Sequence, residues 1–415
     1  MTKIKTLFLL ITVSLGALKA QQFDTSGIAN WPRLYNSYET WSQGAFDANR
    51  DTNNPADFGW GKYNMATHFI EGDSIYIIKT VAGNYKAVSI DQLASGTFSI
   101  TYANLDGSQR VRKTLDRAPY GSKNFFYYSL DQSQVKDLEP ASNNWDLVFT
   151  KYLTFFPGFG GYGVAGALHN RGVQTAQVET QSGQSAALSD TVSYPFQAEI
   201  NTIGYDWKSA GPGGTVIHDT LTYFVRDQRG SINRLAFLDY GGSGNGNIKF
   251  TVNGVADSIS LGAGNVNQVY YSLTNASEVS VNTDQNWDLA FFAQGSFEAI
   301  PVRINDVSGA ELYVYPKADI QYWNSLSRAE RKLNILSVYP NPAQNQVKIA
   351  ASAQQSGELT VELYNLNGQL VKAAQRSLQS GLNETGLEVT ELPRGVYLLK
   401  LKQGETVATT RLMVQ

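Results

Sequence analysis

The sequence contains no cysteine, and its 415 residues include only three histidines and three methionines. The absence of cysteine excludes disulfides, cysteine-ligated zinc, iron–sulfur clusters and thiol nucleophiles. Charged residues are also scarce, at 17% against about 25% in typical soluble domains. Lys and Arg together number 33 and Asp and Glu number 36, which gives a net charge of −3. Such a balance offers no electrostatic basis for a nucleic-acid partner.

Residues that favour strands and turns are abundant instead, with 37 Gly, 23 Tyr, 19 Phe and 7 Trp. Aromatic residues are enriched in strands and glycine in turns, and helical periodicity over ten or more residues is scarce. The composition therefore predicts an all-β protein. At roughly 100–200 residues per domain, the length predicts about two to four domains.

The first 20 residues have the layout of a secretory signal peptide. Lys3 and Lys5 precede an apolar run, and the small residue Ala20 precedes Gln21, which predicts cleavage between Ala20 and Gln21. The apolar run is shorter than the roughly 20 residues that a membrane-spanning helix needs, and no later run is long enough. We therefore expect an exported chain with no transmembrane span after cleavage.

The other end of the chain, residues 334–415, alternates between apolar and polar residues after a charged linker at 327–333. This pattern, interrupted by turn residues about every ten positions, predicts a small β-sandwich. Three spaced motifs stand out, which are Tyr339-Pro340-Asn341-Pro342, the turn ending at Gly368, and Pro393-Arg394-Gly395-Val396-Tyr397.

These motifs resemble the C-terminal sorting domain of type IX secretion. The resemblance implies that the type IX machinery is a partner. It also implies that the protein is secreted or held at the cell surface, on the extracellular face of the outer membrane. An ordinary β-sandwich used for binding is the alternative.

The middle of the chain contains an internal repeat, since four blocks recur in the same order. The displaced pairs are Trp60/Trp207, Tyr76/Tyr223, Gly83/Gly230, Gly96/Gly246, Tyr127-Tyr128-Ser129-Leu130/Tyr270-Tyr271-Ser272-Leu273 and Asn144-Trp145-Asp146-Leu147/Asn286-Trp287-Asp288-Leu289. Ordered self-similarity of this kind indicates duplicated structural units. Within residues 21–326, we predict two related β-sheet units at about 40–180 and 185–325. One large duplicated sandwich would produce the same matches.

The segment Asn144-Trp145-Asp146-Leu147 with its continuation to Val173, and the hairpin around Tyr223 and Leu235, resemble the HmuY-type family of exported β-proteins. In that family the Trp-Asp half precedes the hairpin half, so residues of about 122–255 would form one family-like unit, flanked by the halves 40–120 and 256–325. The resemblance implies haem capture through two histidine ligands. Asp146 and Asp288 fit either a turn cap or a partner for a base.

The three histidines, His68, His169 and His218, are isolated in sequence and lack the spacing of a metallohydrolase. We therefore predict no metal site. His169 follows the Gly-rich aromatic segment 155–163 and is the candidate axial ligand if haem is bound. Each histidine also fits a structural or surface role.

Residues 158–163 match G-x-G-x-x-G, but the strand, helix and acidic residue of a dinucleotide site are missing around them. No Walker A motif, nucleophile elbow or spaced carboxylate pair is found, so we predict that the protein is not an enzyme. The first functional hypothesis is a binding protein for haem or another flat hydrophobic ligand. The alternative is a structural or adhesive surface protein whose exposed aromatic loops contact a protein or glycan. An undetected hydrolase would require two carboxylates or a Ser–His pair to converge.

Overall fold

The computed structural model describes residues 23–156, 160–211, 213–282, 284–294, 299–316, 333–353, 356–365, 368–379, 381–404 and 406–415. The predicted signal peptide and the cleavage position at Ala20 and Gln21 lie outside these residues, as do 317–332, which include most of the linker. In the described part of the chain the helices are 3₁₀ turns of three to five residues, at Ile28–Asn30, Ala118–Tyr120, Ser142–Asn144, Leu188–Val192, Ala263–Asn265 and Asp306–Ser308. The prediction of an all-β fold is confirmed. Within these same residues no helix has the length and apolar character needed to cross a membrane.

The first sandwich is built from two separate parts of the chain. Its earlier strands are β1 (Arg33–Leu34), β2 (Gly61–Asn64), β3 (Phe69–Gly72), β4 (Tyr76–Lys79), β5 (Tyr85–Ala94), β6 (Thr97–Asn104), β7 (Val111–Asp116), β8 (Phe125–Ser129) and β9 (Gln134–Lys136).

The second sandwich follows without interruption. Its strands are β10 (Leu147–Phe156), β11 (Gly160–His169), β12 (Gln174–Glu179), β13 (Lys208–Gly211), β14 (Gly214–Ile217), β15 (Leu221–Arg226), β16 (Ile232–Tyr240), β17 (Asn247–Val252), β18 (Val255–Ser260), β19 (Val269–Ser272) and β20 (Ser277–Val279). The chain then returns to the first sandwich with β21 (Leu289–Phe292), β22 (Val302–Ile304) and β23 (Glu311–Val314).

Sheet pairing shows that the second sandwich is inserted into the first. One sheet of the first sandwich runs β1-β23-β4-β5-β3-β2, with β6 and β7 continuing from β5, and the facing sheet runs β22-β21-β8-β9. The second sandwich consists of the sheets β11-β10-β19-β20 and β12-β15-β16-β17-β18, and β13-β14 form a separate hairpin. Each sandwich has its own buried apolar core.

This nested order differs from the sequential division at about 40–180 and 185–325, which would cut the second sandwich after β12. It also differs from a unit at 122–255, because β8 belongs to the first sandwich. The reason is the choice of strand partner. Strand β10 pairs with β19 further along the chain, whereas its counterpart β21 pairs with β8, which precedes it. The two copies of the repeat are separated by similar numbers of residues in the sequence, and this spacing does not show whether a strand pairs with an earlier or a later one.

The Trp-Asp repeat performs the same structural task in both sandwiches. The backbone N–H of Leu130 donates to Asp288 Oδ2 at 2.8 Å, and that of Leu273 donates to Asp146 Oδ2 at 2.8 Å. Both carboxylates thus hold the turn that follows a Tyr-Tyr-Ser strand, as a cap does. Both indoles are buried.

The C-terminal residues form a third sandwich with its own core. Its strands are β24 (Leu333–Tyr339), β25 (Gln346–Ala353), β26 (Gly357–Tyr364), β27 (Leu370–Leu378), β28 (Gly381–Glu388), β29 (Gly395–Gln403) and β30 (Thr406–Val414). They form the sheets β24-β25-β28 and β27-β26-β29-β30. Ala350 and Leu382 pack against Phe69 and Ala94 of the first sandwich.

Candidate functional site

The structure places His169 inside the second sandwich. The residue is 1% exposed, and its Nδ1 lies 3.0 Å from the carbonyl oxygen of Asn170. Burial lowers the pKa of the imidazole, so the ring is neutral at pH 7. An axial ligand must present a ring nitrogen to the iron, and in this conformation the surrounding side chains cover His169.

The other two histidines have different neighbours. His68 is exposed in the turn between β2 and β3, where its Nδ1 lies 2.7 Å from the Tyr63 hydroxyl. His218 Nε2 lies 3.0 Å from Ser209 Oγ beside the β13–β14 hairpin. Among the described residues no three His, Asp or Glu side chains are grouped as metal ligands would be.

The most distinctive exposed feature is the long hairpin of β10 and β11. Its two strands pair without a break from Leu147↔His169 to Phe156↔Gly160. The base is buried in the second sandwich, whereas the tip projects into solvent. Here Phe155, Phe156 and Tyr162 are 53%, 36% and 61% exposed. Pro157, Gly158 and Phe159, which join the two strands, lie outside the described residues.

Two further aromatic residues join this tip from distant parts of the chain. On one face of the hairpin, Tyr35 meets Phe155 edge to face with ring centroids 4.9 Å apart. On the other face, Phe156 lies 6.1 Å from both Tyr162 and Tyr205. Edge-to-face pairs at these distances are favourable for aromatic rings. We call these five residues the aromatic tip.

Glycines in β11 allow the rings to lie flat against the strand. A Cβ at Gly161 would approach the rings of Phe155 and Tyr35 to 3.4 and 3.5 Å. A Cβ at Gly163 would approach the Lys151 side chain to 3.4 Å. These are ordinary van der Waals distances, so an alanine would fit at either position. The two glycines thus mark where the side chains of Phe155, Tyr35 and Lys151 lie over strand β11.

The electrostatic character of the tip is neutral at its end and positive at its base. Residues 152–163 contain no charged side chain. Lys208 Nζ lies 4.1 Å from the centroid of the Trp207 ring and donates to the backbone carbonyl of Tyr205 at 3.3 Å. Burial lowers the pKa of Lys208 to about 8. This lysine supports the Tyr205 segment from beneath.

Sequence reasoning selected the 155–162 segment but did not find Tyr35 or Tyr205. Tyr35 is 120 positions before Phe155, and Tyr205 is 49 positions after Phe156. No local motif links them to the hairpin, because the Tyr35 contact arises when the two sandwiches pack together and the Tyr205 contact arises when the second sandwich folds.

The predicted sorting motif residues lie at turns and edges of the C-terminal sandwich. Asn341, between Pro340 and Pro342, accepts a hydrogen bond from the backbone N–H of Met413 at 2.8 Å and donates to the Arg411 carbonyl at 3.2 Å. Gly368 has φ +76°, a backbone conformation that glycine adopts readily. Gly395 begins strand β29. The motif thus ties the first turn of this sandwich to its last strand.

Comparison with solved structures gives distant likenesses. A glycosyl hydrolase family 2 member from Bacteroides cellulosilyticus is 10% identical with a TM-score of 0.15, covering 58% of this chain and 35% of its own. The chain therefore spans about a third of the length of that enzyme. A tetra-tandem repeat from the extending region of a large adhesion protein is 10% identical with a TM-score of 0.17, covering 84% of this chain and 94% of its own. A search of curated proteins gives no significant match.

Comparison with family models identifies the end of the chain. No family match supports the HmuY-like prediction for the middle region. Residues 337–415 match the secretion system C-terminal sorting domain, as the three spaced motifs predicted. The protein therefore carries a type IX sorting domain and is exported, with a destination at the cell surface or outer membrane.

Proposed function

We propose that this protein is a non-enzymatic surface-binding protein that contacts a glycan through the aromatic tip. The observation that carries the proposal is the exposure of three rings at the end of one continuously paired hairpin, with Phe155 on one face and Phe156 and Tyr162 on the other. Single exposed apolar side chains are common, whereas a contiguous exposed patch indicates an interaction site. Two further rings, Tyr35 and Tyr205, support the patch from both faces.

The chemistry of the tip favours a sugar as the ligand. A sugar ring presents a flat face of C–H groups, which packs on an aromatic ring and becomes shielded from water. Its hydroxyl groups stay at the rim and keep their hydrogen bonds. The end of the tip is uncharged and offers no carboxylate or imidazole for acid–base catalysis, which supports binding without turnover.

Export to the cell surface places the tip where it would meet polysaccharides or the glycans of other cells. Haem capture, the activity implied by the HmuY-like resemblance, receives less support because His169 is buried in a sandwich core. A glycan requires no such ligand. The hairpin needs only its paired strands and its exposed rings.

The test is depletion of the purified secreted protein by insoluble polysaccharides, covering neutral and acidic polymers. The Phe155→Ala/Phe156→Ala double variant, which removes one exposed ring from each face of the hairpin, is compared with Tyr85→Ala, which removes a 37% exposed tyrosine from the first sandwich. An aromatic contact is worth about 0.5–1.5 kcal/mol beyond its buried area. The double variant should therefore bind roughly 5- to 150-fold more weakly, and Tyr85→Ala should bind as the unmodified protein does.

Circular dichroism and thermal unfolding check that both variants remain folded. Equal binding by the double variant and the unmodified protein, or no polysaccharide binding by the unmodified protein, would refute the proposal.

A further inference from the structure

The same face of strand β10 that carries Phe155 also carries a lysine at its base. Side chains alternate between the two faces of a strand, so residues 151, 153 and 155 lie on one face. The contacts of β11 agree, because Gly161 faces Phe155 and Leu153, while Gly163 faces Lys151. At about 3.4 Å per residue, Phe155 and Lys151 are separated by roughly 14 Å along the strand.

Lys151 has no partner for its charge among the residues that the structure describes. Its ammonium group takes part in no hydrogen bond or ion pair there, whereas several other strand lysines are paired. Lys79 pairs with Glu311, Lys86 with Asp131 and Lys136 with Asp284. The stem of Lys151 lies against Gly163, so the side chain is held along the hairpin and its charge is available to a ligand.

Lys151 also lines a polar cleft between the two sandwiches. The cleft has a volume of about 270 Å³ and is lined by Thr150, Lys151, Asn265, Val266, Gln268, Gln285, Val307 and Ser308. The lining side chains are hydroxyls, amides and short apolar groups, with no carboxylate among them. Clefts between domains with a few convergent polar groups are common ligand sites. A volume of this size accommodates one sugar unit.

A second cavity adjoins the cleft and shares Thr150, Lys151, Gln268 and Val307 with it. Arg303 lies at this inner cavity, where its guanidinium donates to the backbone carbonyls of Ser37 and Gln43 at 2.9 and 3.1 Å. The inner cavity has a volume of only about 50 Å³, enough for a few waters. The ligand must therefore be held in the outer cleft, at Lys151.

We propose that the glycan is an acidic polysaccharide, with one sugar ring stacked on Phe155 and the carboxylate of another bound by Lys151. This inference rests on the proposed function and adds the ligand's charge and spacing. The backbone positions of Phe155 and Lys151 are roughly 14 Å apart along the strand, so the two contacts fall on different units of the sugar chain. A charged hydrogen bond between ammonium and carboxylate is stronger than a neutral one. The protein should therefore prefer polysaccharides that carry carboxylates to neutral ones.

The experiment compares two forms of one polymer, polygalacturonate and its fully methyl-esterified form, which differ in charge and share a backbone. The variants are Lys151→Met and, as the matched control, Lys113→Met. Lys113 is likewise a half-buried strand lysine, in β7 of the first sandwich. Binding is measured by affinity electrophoresis and by calorimetry with trimers of each form.

We expect the unmodified protein and Lys113→Met to prefer the acidic form by about 10- to 100-fold. Lys151→Met should lose this preference and bind the two forms equally. If the unmodified protein binds both forms equally, or if Lys151→Met keeps the preference, the inference is overturned while the aromatic tip remains a glycan site. If the unmodified protein binds no polysaccharide of any kind, both the inference and the proposed function fail.

Discussion

Replacing Asp288 by Ala should strongly destabilise the first sandwich. Asp288 is 2% exposed, and its carboxylate accepts the backbone N–H of Leu130 at 2.8 Å and that of Val81 at 2.9 Å. These two donors belong to turns that are far apart in sequence. Asp288 therefore ties the two facing sheets of the sandwich together.

The magnitude follows from the donors that lose their acceptor. A buried N–H left without a partner costs about 1–3 kcal/mol. The bond from Leu130 is buried and the bond from Val81 is partly buried, so the loss of both should cost roughly 2–4 kcal/mol. Native domains are stable by about 5–15 kcal/mol, so the substitution removes a large part of that margin. Asp288→Asn keeps one carbonyl oxygen as an acceptor and should cost about half as much.

Hydrogen exchange with mass spectrometry localises the effect, because unfolding of a chain with several cores is not two-state. Exchange should increase in β4, β5, β8 and β9 and stay unchanged in β15–β20. Asp146→Ala is the matched variant, since Asp146 accepts the backbone N–H of Leu273 in the second sandwich, and it should reverse this pattern. A stability loss below about 0.5 kcal/mol in Asp288→Ala, or equal exchange changes in both sandwiches, would refute the reasoning.

Three other predictions concern pH, export and haem. Burial raises the pKa of Glu139 to about 8, while the unfolded side chain ionises near its ordinary value of about 4.3. Between these two pH values the folded protein binds one more proton than the unfolded chain, so the free energy of unfolding should fall as pH rises from 5 to 8. Denaturant titrations of Glu139→Gln should show a weaker dependence of this free energy on pH. An unchanged pH dependence in the variant would contradict the assignment to Glu139. Deletion of residues 334–415 should leave the protein in the periplasm by cell fractionation, and normal secretion would contradict the sorting role. Because His169 is buried, titration with haemin should not produce a saturable change of the Soret band that depends on His169. A saturable change that is lost in His169→Ala would restore haem as the ligand.

The sequence alone was sufficient for features that depend on neighbouring residues. Alternation of apolar and polar residues predicted strands, and the turns at Gly368 and the motif at Pro340–Pro342 predicted the sorting domain, which the family match confirms. A turn or a strand is specified over a few residues by backbone preferences and side-chain alternation. The repeated Trp-Asp motif was likewise visible as two copies, and its hydrogen bonds prove to be equivalent in the two sandwiches.

Only the tertiary structure decided which strands share a sheet and which side chains meet at the surface. Strand β21 pairs with β8 across the whole inserted sandwich, and backbone hydrogen bonds are the same for any antiparallel partner, so pairing depends on how complete cores pack. The aromatic tip has the same origin, because Tyr35 and Tyr205 reach Phe155 and Phe156 only after folding. The burial of His169 is a further example. The sequence around His169 does not show which face of its strand points inward, because that face is set by the sheet that packs against it.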